Sequence, residues 1–152
     1  MKKLFAVILT VAMLATMSVT AFAANTAGGE ADITTSIAPT YTVTIPADVN
    51  VQFNATETAF GAIEVTASQI HPDKCIKVAL ASDSKLENSI DATKVIPYAI
   101  KDSEGATFTS ATYLTEGDKT ELSIHITADD WNAAYAGEYS DTVTFTITYE
   151  DK

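Results

Sequence analysis

The stretch Ala136-Gly137-Glu138-Tyr139-Ser140-Asp141-Thr142-Val143-Thr144-Phe145-Thr146-Ile147-Thr148-Tyr149 decides the fold. From Val143 onward, apolar and polar residues alternate without a break. Val143, Phe145, Ile147 and Tyr149 fall on one face, and Thr142, Thr144, Thr146 and Thr148 on the other. A period of two marks a strand with one dry and one wet face, and β-branched threonine suits the wet side. Burying four such apolar side chains contributes roughly 6–12 kcal/mol as an upper bound, at about 1.5–3 each. A β-sheet core has to exist to receive them, and these four are the expected core strand.

Working back from that strand, residues 127–135 are the one stretch with helical character. Thr127 is placed to cap Ala128, Asp129, Asp130 and Trp131, with two acids near the positive end of the helix. This predicts one short helical crossover before the last strand. Upstream, Leu122, Ile124 and Ile126 alternate and are expected to pair in a hairpin with a strand over 107–114, across the turn Glu116-Gly117-Asp118. Ile96, Tyr98 and Ile100 share a face with Pro97 opposite, which suits an edge or a bulge. Residues 81–94 are mostly polar and read as a loop. Ile76, Val78 and Leu80 form a strand after the turn His71-Pro72-Asp73. Residues 60–65 carry Gly61, which marks a bulge or bend. Val49, Val51 and Phe53 alternate briefly, residues 41–45 strongly, and Ile33, Thr35 and Ile37 weakly before Pro39. Short strands separated by turns every ~8–12 residues predict an all-β, immunoglobulin-like antiparallel β-sandwich of about eight strands.

The first residues have a different logic. Met1-Lys2-Lys3 is a positive n-region, residues 4–19 are an almost uninterrupted apolar run, and Ala21-Phe22-Ala23 offers small residues where a signal peptidase reads. Residues 1–23 are therefore expected to be a secretory signal peptide cut after Ala23, with no membrane span afterwards. Residues 24–30 then form a flexible leader containing Gly28 and Gly29, and 31–152 a single sandwich domain. The location this implies is extracellular or at the cell surface.

The whole chain holds nine basic residues, all lysine, against twenty acidic ones. Without a basic patch or an arginine fork, nucleic-acid and phosphate recognition and attraction to anionic membranes are disfavoured. Acidity of this degree keeps an exported protein soluble. The single cysteine, Cys75, cannot form an internal disulfide, and packing has to supply the stability.

Residues 136–144 resemble the closing motif of spore coat protein U and related pilin-like secreted domains. Ile96-Pro97-Tyr98-Ala99-Ile100-Lys101-Asp102 is similar to a second block of that family, and Phe60-Gly61 with Ile63-Glu64-Val65-Thr66 loosely to a third. The family commonly carries a cysteine pair, and Ala67 stands where one of the two would align. Cell-wall WxL-type domains resemble the chain in strand pattern, though the Trp-x-Leu signature is absent. The resemblance implies an immunoglobulin-like sandwich in surface or appendage biology.

Candidate chemistry is thin. His71 lies four residues before Cys75, but two ligands are too few for zinc and nothing evident orients a nucleophile. His125 is expected on an outward face. The Asp129-Asp130 and Asp102-Ser103-Glu104 carboxylates lack the spacing of a calcium loop and read as helix-cap and turn residues. Trp131 with Tyr135 could stack a sugar, against the plainer role of Trp131 as a lid on the core. Tyr139, just after Gly137, suggests a tyrosine corner whose hydroxyl bonds nearby backbone.

These readings predict a non-enzymatic secreted or cell-surface structural or adhesive domain with no cofactor and no metal. Its expected partners are cell-surface components or itself, by strand addition. Residues 31–38 are the expected donor, with folding back onto their own sheet as the competing outcome. The alternative is an extracellular carbohydrate- or ligand-binding module.

Overall fold

The computed structural model describes residues 32–152 and, as backbone, Ile8–Val11. The expected cleavage point and the 24–30 leader lie outside the described residues. Among the described residues strands make up 49% and helix 5%, so the fold is all-β. The strands are β1 (Ile8–Val11), β2 (Thr40–Thr44), β3 (Glu57–Gln69), β4 (Lys74–Ala81), β5 (Lys85–Asn88), β6 (Val95–Pro97), β7 (Ala99–Asp102), β8 (Ser110–Tyr113), β9 (Lys119–His125), β10 (Tyr139–Ser140) and β11 (Thr144–Asp151). The helix α1 (Ala128–Ala133) crosses over before β10.

One layer is a five-stranded antiparallel sheet in the order β1-β2-β3-β9-β7. The other is a ladder broken in the middle, with β11-β4-β8 on one side of the break and β10-β5-β6 on the other. Between the layers lie Val43, Ile63, Val65, Ile76, Val78, Ile96 and Ile126, all essentially inaccessible to solvent. Ile63 and Val65 on β3 and Ile76 and Val78 on β4 form the centre, because each of those strands has neighbours on both sides.

The last strand is therefore not the centre. β11 lies at an edge of its sheet, paired only with β4, from Thr144 opposite Ala81 to Asp151 opposite Lys74. The alternation holds, with Phe145, Ile147 and Tyr149 turned inward and the threonines exposed. Those side chains, and Val143 just before them, pack against the core without being fully buried. An edge strand has a neighbour on one flank only, so its inward row stays half open.

Four other expectations change in the structure. The expected 136–149 strand is two strands, β10 and β11, separated at residues 141–143. The expected loop over 81–94 contains β5, which pairs with both β6 and β10. Val49, Val51 and Phe53 lie on a connection rather than a strand.

The fourth change concerns β8 and β9, which form no hairpin: β8 pairs with β4, and β9 with β3 and β7. The connection explains the difference. The Asp118 carboxylate accepts the N–H groups of Leu114 at 2.8 Å and Thr115 at 2.9 Å, which tightens the turn. Val65 then donates its N–H to the Asp118 carbonyl and accepts the N–H of Gly117. Tying the turn to β3 steers the chain out of one layer and into the other. The same hydrogen bonds from Leu114 and Thr115 hold the Asp118 carboxyl below its ordinary range.

Other local readings agree with the structure. Thr127 caps α1, its hydroxyl accepting the Asp130 N–H at 3.1 Å. The β3–β9 register shifts between Ala59 and Gly61, which leaves Phe60 as an extra residue; Gly61 supplies the φ of +121° there. Pro97 ends β6, an edge strand, and the chain passes through Tyr98 into β7 of the opposite layer.

Candidate functional site

The side of the sandwich where β2 and β11 face each other is the least closed. The rings of Tyr41 on β2 and Tyr149 on β11 sit 5.7 Å apart, and those of Phe60 on β3 and Phe145 on β11 6.1 Å apart. Among the described residues no strand pairs with the outer flank of β11. The outer flank of β2 is covered by Ile8–Val11.

Above this seam β2 ends, Pro46 turns the chain away, and residues 45–53 leave the sheet. A groove of about 1420 Å³ opens between those residues and the segment 131–145. Its floor reaches Ile96 and Ile124, and its walls include Phe60, Trp131, Tyr139 and Phe145. Asp48, Glu138 and Asp141 also line it, with no lysine or histidine among the lining residues.

Trp131 is half buried against the core, and its indole N–H donates to the Ala55 carbonyl at 2.8 Å. The Phe53 ring, itself exposed, stands nearly perpendicular to it at 5.7 Å. Trp131 thus pins the 45–56 connection to the helical crossover. Tyr135 is exposed, with the Lys94 ammonium 4.9 Å from its ring centre. The Tyr139 hydroxyl donates to the Tyr135 carbonyl at 2.9 Å and accepts the Tyr135 N–H at 3.1 Å. It closes a loop back onto the backbone four residues upstream. Trp131, Tyr135 and Tyr139 all line the one groove.

The sequence reading missed one cluster. Where the second layer breaks, the Asp141 carboxylate accepts hydrogen bonds from the Tyr98 hydroxyl and from the Ser82 hydroxyl, the latter at 3.1 Å. The two hydroxyls are 2.8 Å apart, and Ser82 also accepts the Ser84 N–H. Three chain breaks thereby meet at one polar point: β4 to β5, β6 to β7, and β10 to β11. The signal was present in the sequence, because Asp141 interrupts an otherwise apolar row of Tyr139, Val143 and Phe145.

Burial, reinforced by the hydrogen bond to Asp141, pushes the Tyr98 hydroxyl up to about 12. The unfolded chain releases that proton near the ordinary tyrosine value of about 10. The contribution to stability is therefore complete below about pH 10 and is lost as pH rises toward 12. Denaturant unfolding between pH 8 and 12 is expected to show this decline. Tyr98→Phe should flatten it, while lowering stability at neutral pH by about 1–2 kcal/mol through the lost hydrogen bond. Parallel pH profiles for the two proteins would contradict the assignment. Burial raises Tyr41 and Tyr113 as well, so a residual decline is expected in the variant.

The remaining candidates sit apart. Cys75 is buried, its thiol 3.7 Å from the Asp151 carbonyl, while His71 is exposed in the β3–β4 turn. His125 bonds Ser123 at 2.9 Å on the outer face of β9. Asp102 accepts the N–H groups of Glu104 and Ala106 within its turn. Asp129 and Asp130 occupy the first turn of α1. Among the described residues no three His, Cys, Asp or Glu side chains converge in the manner of a metal site. No helix among them is long and apolar enough to cross a membrane.

No protein-family model, curated protein or solved structure matches this chain. The functional reading rests on the open side itself.

Proposed function

We propose that the chain is a non-enzymatic structural domain, secreted or held at the cell surface, that self-associates by β-strand addition. One observation carries the reading. The molecule has both halves of a strand-addition joint and does not use them on each other. β11 is a long edge strand, rich in β-branched residues, with a half-open apolar row and no proline or lysine within it. Such an edge templates pairing with another chain. Residues 32–38 meanwhile join no sheet, leaving Ile33 99% and Ile37 62% exposed. The resemblance of 136–144 to spore coat U and pilin-like domains favours the same setting.

The test is the mass of residues 24–152 by light scattering across a concentration series. Oligomers that grow with concentration are expected, and a monomer at millimolar concentration would sink the proposal.

A second reading, an extracellular carbohydrate-binding module, is favoured by the exposed Phe53 and Tyr135 rings beside an acidic, lysine-free groove. Carboxylates accept hydrogen bonds from sugar hydroxyls, and aromatic rings stack on sugar faces. Titration with neutral oligosaccharides, repeated on Tyr135→Ala, separates this reading from the first.

A further inference from the structure

We infer that the outer edge of β2 is the acceptor in this assembly, and that residues 32–38 of a second copy occupy it once residues 1–23 have been removed. The inference rests on the strand-addition reading and keeps its donor, but places the acceptor on β2 instead of the neighbouring edge of β11.

The edge already takes a strand. Ile8–Val11 lies antiparallel along β2, with Ile8 opposite Thr44 and Val11 opposite Tyr41. Those four residues belong to the apolar run upstream of the expected cut after Ala23. Processing would therefore take away the strand that covers β2 and leave one row of its N–H and C=O groups without partners. The bared strand, Thr40-Tyr41-Thr42-Val43-Thr44, consists entirely of β-branched and aromatic residues. It holds none of the charges or prolines that blunt natural sheet edges. Next to it lies the half-open row of β11, so a strand added to β2 gains an apolar surface as well as backbone partners.

The same copy cannot supply residues 32–38. Their return onto β2 would have to turn at Ala38-Pro39, and the two-residue turns that close hairpins need a positive φ, which alanine disfavours and proline forbids. Residues 24–31 of the same copy could reach, but Asn25, Gly28, Gly29 and Glu30 make a poor strand. In a second copy, residues 32–38 are free of that tether. Ile33 and Ile37 are an even number of residues apart, so in a strand they share one face. Because each copy carries one donor and one acceptor at different places, the contact is head-to-tail and propagates into a chain.

Amide hydrogen exchange on residues 24–152, at low and high concentration, tests both surfaces. The companion protein is the double variant Ile33→Asp/Ile37→Asp, whose altered positions are exposed and whose fold is checked by near-ultraviolet circular dichroism. The expected result is protection gained on association in residues 32–38 and along Thr40–Thr44. The double variant should associate about a hundredfold more weakly or worse, the loss anticipated for two isoleucines no longer buried. Association that protects Thr144–Asp151 but not Thr40–Thr44 overturns the β2 assignment and leaves strand addition standing. Association that is indifferent to the double variant overturns the donor. A monomer whose β2 amides are protected at every concentration shows the edge closed by its own leader, and overturns the inference. A monomer with unprotected β2 amides overturns it together with the proposed function.

Discussion

Ile76→Ala is expected to lower unfolding stability by about 3–5 kcal/mol, while Phe145→Ala on the neighbouring strand should cost nearer 2. Ile76 is completely buried on β4, opposite Tyr149 of β11 on one side and Tyr113 of β8 on the other. Its truncation leaves a cavity that strands held on both flanks cannot collapse to fill. Phe145 is the larger side chain, but it lies on an edge strand and is only partly buried. Part of its surface is wet in the folded state, and the neighbours it leaves can relax toward solvent. Thr144→Ala, on the exposed face, should change stability by less than about 1 kcal/mol. Against a typical total of about 5–15 kcal/mol, only the first of these threatens the fold. Urea unfolding of the three variants checks the order. A Phe145→Ala effect equal to or larger than that of Ile76→Ala would show that β11, and not β4, is central.

Gly137→Ala is expected to be as severe, at about 3 kcal/mol or more, although it adds only one methyl group near the surface. Gly137 has φ +151°, which L side chains rarely adopt, and an added Cβ would collide with the Asn88 amide nitrogen. A surface side chain would swing aside. Asn88 cannot do so at low cost, because it is buried and its Oδ1 accepts the N–H groups of Ile90 at 2.9 Å and Asp91 at 3.2 Å. Moving it breaks the turn after β5 and the pairing of Asn88 with Tyr139. The check is thermal unfolding of Gly137→Ala beside Gly105→Ala. Gly105 also has a positive φ, but its added Cβ would meet nothing within 4 Å. Equal losses would mean that backbone strain, rather than the Asn88 contact, sets the cost.

The two positions also illustrate how much the sequence discloses. The alternation from Val143 to Tyr149 fixes which side of β11 faces inward, because the pleat has a period of two whatever its neighbours are. It does not disclose how deeply that side is buried, since edge or centre depends on which strands lie alongside. Hairpin formation between β8 and β9 is the default for adjacent strands. The arch that replaces it depends on Val65, some fifty residues earlier in the chain, which no local pattern reports. β5 is too short and too polar to announce itself. The groove was half legible: Trp131, Tyr135 and Tyr139 were readable as a group, but the connection that forms its other wall looked like a strand. Asp141 was legible in retrospect as a charge within an apolar row, and its partners Tyr98 and Ser82 were not.

The break in the second layer has a consequence for how the molecule opens. The β10-β5-β6 portion contributes one deeply buried apolar residue, Ile96, and joins the rest through residues 82–84, Tyr98, residues 141–143 and the link from α1 over residues 134–138. Its backbone hydrogen bonds are few, and its apolar contacts are fewer than those around β3 and β4. A unit so constituted is expected to unfold locally, ahead of the domain and at a lower free energy, its amides exchanging together as one block in a native-state hydrogen-exchange experiment. The Asp141 cluster is then the latch of that block. Because residues 138–141 form part of the groove wall, each such opening would also widen the groove and couple access to its floor to a sub-global unfolding equilibrium.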